Sequence, residues 1–127
     1  MQYMLLIYET ERAEPGSDEL AASIAAVNAF TAEVIERGVF VAAGPLAPPS
    51  AATTVRVRDG ERVLTDGPFA ETAEWLGGYY ILDCTDLDEA LDFAARFPSA
   101  ATGAVEVRPI PAVAGPHRAE AAAGTAG

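Results

Sequence analysis

YMLLIY, residues 3–8, is apolar at odd and even positions alike. Successive side chains of a strand point to opposite faces, so a strand of this kind needs cover on both sides of its sheet. The pattern returns in YYIL, 79–82, where Tyr79 and Ile81 oppose Tyr80 and Leu82. Helices from this chain can cover one face only. A second copy packed sheet to sheet covers the other through a symmetric contact, and the intervening loops are too short and Pro-rich to do so. A homodimer is therefore expected.

The helices lie on either side of these strands in sequence. Ser17 is placed to cap a helix with Asp18 and Glu19 in its first turn, and Leu20, Ile24, Val27 and Val34 recur along one face. Gly38 ends it, and VFVAA (39–43) reads as a strand. Asp59-Gly60 suits a tight hairpin turn between TTVRVR and ERVL, with Val55 and Val57 facing inward and Arg56 and Arg58 outward. Thr85-Asp86-Leu87-Asp88 opens a second helix carrying Leu87, Leu91 and Ala94 inward, and AVEVRPI (104–110) closes the domain with Glu106 and Arg108 opposite Val105 and Val107. The order is β-α-β, hairpin, β-α-β. Residues 1–110 form one domain, and the Ala/Gly/Pro-rich stretch 111–127 reads as a flexible tail.

A net charge of −11 with eight basic residues opposes direct binding to nucleic acid or anionic lipid. MQYMLLIY lacks a basic leader, and its apolar run is too short for a signal core or a membrane span. Cys84 is the single cysteine, so no intrachain disulfide forms, and a reducing, cytoplasmic location is expected. No metal-ligand spacing appears and no cofactor motif is present, so neither group is expected. The one histidine, His117, falls in the tail, away from any rigid scaffold that catalysis would need. Cys84 ends an apolar run without a nearby Lys or His, which reads as an inert core thiol.

The candidate site centres on TDGPFAETAEWLGGYYIL, 65–82. Asp66, Gly67 and Pro68 spell a turn in which Asp66 accepts from the backbone two residues on, while Phe69 anchors the turn in the core. Gly77-Gly78 permits a close approach at the start of the next strand. Against that structural reading, Asp66 and Glu71 are two carboxylates near Phe69, Trp75 and Tyr79, suited to acid/base work if burial raises one pKa. Arg108 is a further ligand-binding candidate, able to hold a carboxylate bidentately unless it serves as a cross-strand partner of Glu106.

YMLLIYE, TTVRVRDG, TDGPFAETAEWLGGYYILD and AVEVRPI together resemble the DGPF branch of the YCII-related proteins, from about residue 1 to 110. The resemblance implies a ferredoxin-like α+β fold, β-α-β-β-β-α-β with an antiparallel sheet, forming a dimeric α+β barrel by face-to-face sheet packing. It also implies an indirect link to extracytoplasmic-function sigma factors. A His/Asp pair suggested as a catalytic site in related proteins is matched here at Asp66 alone. Two functions stay open: a non-catalytic module binding a small ligand or a partner, and a cofactor-free enzyme using Asp66, Glu71 and a tyrosine in the cleft between sheets.

Overall fold

A computed structural model describes residues 1–10 and 13–112. The strands are β1 (Gln2–Glu9), β2 (Phe40–Pro45), β3 (Thr53–Arg58), β4 (Glu61–Asp66), β5 (Trp75–Asp83) and β6 (Ala104–Ile110); the helices are α1 (Asp18–Glu36) and α2 (Leu87–Arg96). Four strands form one sheet in the order β2-β5-β1-β6, each pair antiparallel, which is the ferredoxin-like interleaving of two β-α-β units. β3 and β4 pair only with each other, outside that sheet. Among the described residues there are six strands, as the order β-α-β, hairpin, β-α-β expects, with the hairpin lying outside the main sheet. Pro111 and Ala112 are exposed and irregular, while His117 and the rest of the expected tail lie outside the described residues.

The α1 start is built as its sequence implies, and the α2 box forms one residue later than the Thr85-to-Asp88 spacing expects. The Ser17 hydroxyl accepts from Leu20 N at 3.0 Å. At α2 the box is reciprocal: Asp86 Oδ1 accepts from Glu89 N at 3.0 Å, and Glu89 Oε1 accepts from Thr85 N at 2.7 Å.

The core lies between the sheet and the two helices. Tyr3, Leu5 and Ile7 meet Tyr80 and Leu82 across the β1/β5 pairing, and Phe30, Val34, Ala90, Phe93 and Phe97 close over them. Phe30, Tyr80 and Phe97 stand edge to face with ring centroids 5.1 to 5.4 Å apart. The Tyr80 hydroxyl, carried into this apolar layer, is satisfied by Thr31 Oγ1 at 2.6 Å.

The inward face of α2 differs from the expected one. Ala90, Phe93 and Ala94 are buried, whereas Leu87 and Leu91 are 45% and 44% exposed. The two stripes share Ala94 and differ by roughly a fifth of a turn. The alanines let the helix approach closely, and the larger Phe93 then fills the space that two leucines would have filled less completely.

Cys84 is 2% exposed, as a core thiol should be. Burial, reinforced by the charges of Glu89 and Asp83, pushes its pKa up from 9.0 to about 11. The raised value favours the protonated native state, so the effect is absent below pH 9 and stability falls as pH climbs from about 9 to about 11. The loss should reach about 2 kcal/mol, near 1.4 kcal/mol per pH unit for one proton. Urea melts across that range should show this drop in the wild type and not in Cys84→Ala; parallel profiles would show that the thiol is not the group responsible.

Candidate functional site

The residues singled out from sequence separate into three places. Asp66, at the end of β4, is exposed, as are Phe69 and Glu71 in the following loop. Neither Asp66 nor Glu71 makes a side-chain hydrogen bond among the described residues, and Asp66 does not accept from the turn as expected. Instead Gly67, at φ +104°, donates its N–H to Ala52 O at 2.7 Å, and its carbonyl accepts from Thr54 Oγ1 at 2.9 Å. The hairpin's own base supplies the bonds that an Asp turn would have supplied. Phe69 does not enter the core either: it is 75% exposed, with the Arg56 guanidinium 5.0 Å above its ring.

Trp75 is half-buried and opposite Glu9 in the β1/β5 register. The adjacent glycines do what close approach requires. A Cβ at Gly77 would meet the Glu9 carboxylate at 2.7 Å, and one at Gly78 would meet Gly44 O of β2 at 3.0 Å.

Tyr79 and Arg108 share the sheet face away from the helices. Cross-strand pairs place Ile81, Met4 and Arg108 in one row and Tyr79, Leu6 and Glu106 in the next, with Tyr8 beyond them. The apolar members are only half-buried in the single chain. Arg108 Nε donates to Glu106 Oε2 at 2.6 Å within the same strand, so the ion pair is not cross-strand; the partner across the sheet is Tyr8, whose hydroxyl donates to Glu106 Oε1 at 3.3 Å. The Arg108 hydrogen bond holds the Glu106 carboxyl below its ordinary pKa. Burial, then the Glu106 charge, raises the Tyr8 phenol, which therefore stays protonated as a donor.

A concave site lies elsewhere. α1 is anchored by its second half, where Phe30 and Val34 are buried. Over its first half, LAASIAA at 20–26, the side chains are mostly too short to reach the sheet. The gap is a cleft of about 410 Å³ between α1, the end of β1 and the 3-10 turn Pro98–Ala100. Leu20, Ile24, Val27 and Pro98 give it apolar walls; Glu9, Glu19, Ser23 and Thr102 give it carboxylates and hydroxyls. Its size suits a small molecule. The stripe Leu20, Ile24, Val27 is visible in sequence but reads as core, because periodicity does not tell a filled interface from an empty one.

The family model for the YCII-related domain matches residues 1–113. An uncharacterised protein of Rhizobium meliloti (strain 1021), R00369, is 40% identical over 114 residues, spanning 87% of this chain and 92% of the relative. A solved structure, 5-chloro-2-hydroxyhydroquinone dehydrochlorinase (TftG) from Burkholderia phenoliruptrix AC1100 in complex with 2,5-dihydroxybenzoquinone, overlaps 87% of this chain and 94% of its own at 18% identity, with a TM-score of 0.48. A likeness that distant carries nothing about ligand or chemistry. Among the described residues, no helix is long and apolar enough to cross a membrane.

Proposed function

The chain belongs to the YCII-related family, and on that premise we propose that it is a non-catalytic dimeric module that binds a small molecule in the cleft beneath the first half of α1. The cleft carries the reading. Its apolar walls call for a partly hydrophobic ligand, and among the described residues the polar side chains lining it are carboxylates and hydroxyls. Such a lining favours a ligand that presents hydrogen-bond donors, an amine or a polyol, over an anion. The acids Asp66 and Glu71 stand in solvent without a side-chain partner among the described residues, which supports binding over acid/base catalysis.

The half-exposed face of Met4, Leu6, Tyr79 and Ile81 supports a homodimer formed by packing two sheets together. The DGPFAET phrase, 66–72, supports the DGPF branch, and with it a cytoplasmic role beside an extracytoplasmic-function sigma factor exerted through a bound ligand or protein and not through DNA.

A thermal-shift screen of amines, polyols and carboxylates tests the ligand reading. A ligand at 100 times its Kd should stabilise the fold by about 2.7 kcal/mol. Ser23→Trp, which fills the cleft from an exposed helix position, should stay folded and lose that shift. Failure of every donor-bearing compound, or a shift that survives Ser23→Trp, overturns the cleft as the site. Turnover of a compound that is lost in Asp66→Asn would instead promote the enzyme.

A further inference from the structure

The hairpin keeps an apolar face in water. Antiparallel partners share a face, so Thr53, Val55 and Val57 lie with Asp66, Leu64 and Arg62, while Thr54, Arg56 and Arg58 lie with Thr65, Val63 and Glu61. The alternation of Val55 and Val57 with Arg56 and Arg58 predicts one wet face, the arginine one. That face touches the loop that follows through Thr54 to Gly67 and Arg56 over Phe69, and its Val63 is 43% exposed. On the other face Val55, Val57 and Leu64 are 57%, 60% and 55% exposed. A two-stranded ribbon with its apolar side in water is marginal by itself.

The charges on that face indicate what covers it. Along β4 it reads Arg62, Leu64, Asp66, opposite signs placed symmetrically about an apolar centre. Arg62 and Asp66 are four residues apart on one strand, about 13 Å, too far to pair within the chain. If two such faces meet about a two-fold axis over the Val55/Leu64 pair, each Arg62 lies above the other copy's Asp66, and Val55 and Leu64 meet their own counterparts. The hairpin also carries Arg56, Arg58 and Arg62 against Asp59, Glu61 and Asp66, so it is neutral in a chain of net charge −11. Self-association there avoids the repulsion that the acidic remainder would impose.

We propose that the face formed by Val55, Val57, Leu64, Arg62 and Asp66 is a self-complementary docking surface whose partner is the same face of a second copy of this chain. The contact is isologous, each residue pairing with its symmetry counterpart. It is distinct from the sheet-face dimer.

Sedimentation equilibrium of the full chain tests it, with circular dichroism to confirm that each variant is folded. Arg62→Glu and Asp66→Arg each bring like charges together across the axis and should weaken the contact by roughly tenfold or more. The double variant, Arg62→Glu with Asp66→Arg, exchanges the charges and should restore the association of the wild type. Leu6→Arg on the open sheet face separates the two contacts: it should abolish the sheet-face dimer and leave the hairpin contact sensitive to the same reversals. Association that neither reversal alters, failure of the double variant to restore it, or a wild type that remains monomeric overturns the proposal. The last result would assign the face to a different kind of partner.

Discussion

Gly103→Ala is expected to destabilise the domain by about 3 kcal/mol or more, among the largest effects of any single substitution in the chain. Gly103 sits where the chain turns from Pro98–Ala100 into β6 and passes directly over the end of β1. A Cβ there would fall far inside contact distance of the Tyr8 carbonyl oxygen and within 3.1 Å of its carbon. The obstacle is backbone, and Tyr8 is held in register with Ala104, so no side chain can swing aside. Gly38→Ala is the control. Gly38 has φ +76° but open space around its Cβ position, so only the left-handed penalty applies, about 1 kcal/mol. Urea unfolding of both variants gives the comparison; equal losses would mean that the crossing relaxes freely. Gly103 N–H also donates to Ser99 O at 2.7 Å, closing the turn that borders the cleft, so Gly103→Ala should weaken ligand binding as well.

Phe93→Ala should cost about 3 to 5 kcal/mol. The ring is 1% exposed beneath the junction of α1 and α2. Arg37 and Arg96 lie over it, their guanidinium carbons 5.5 and 4.9 Å from its centroid, and Glu33 binds both arginines. Removing the ring empties the core and takes away the surface on which those arginines rest. Phe93→Leu keeps most of the volume and should lose less than about 1.5 kcal/mol. Arg96→Ala, which removes a half-exposed partner, should lose less than about 1 kcal/mol. A Phe93→Ala loss as small as that of Phe93→Leu would show that the helices collapse into the vacancy.

Local chemistry carries much of the fold. The cap at Ser17 and a capping start near Thr85 were legible because a hydroxyl or carboxylate facing free N–H groups acts over three residues, although the capping pair is Asp86 with Glu89, one residue beyond Thr85 and Asp88. The two-faced strands were legible because alternation has a period of two and both registers of YMLLIY are apolar. What sequence did not reveal depends on contacts between distant segments. Val55 and Val57 alternate with arginines as an inward-facing strand does, and nothing local says that the hairpin stands outside the sheet. Asp66 has every attribute of a turn acceptor, yet Thr54 and Ala52, brought alongside by the β3/β4 pairing, make the bonds first. The cleft was least visible of all, since it is space that LAASIAA leaves unfilled.

That unfilled space makes α1 a lever with a fixed end. Phe30, Val34 and the Thr31 to Tyr80 hydrogen bond clamp its second half to the sheet, while Ile24 in its first half is 52% exposed. Among the described residues the first half makes no aromatic contact, and it is expected to open locally at a lower free energy than the clamped half. Amide hydrogens between residues 21 and 28 should exchange faster than those between 30 and 36, and a ligand under the helix should slow the first group alone. Occupancy of the cleft would then be recorded as stiffness in half of one helix, with the sheet unchanged.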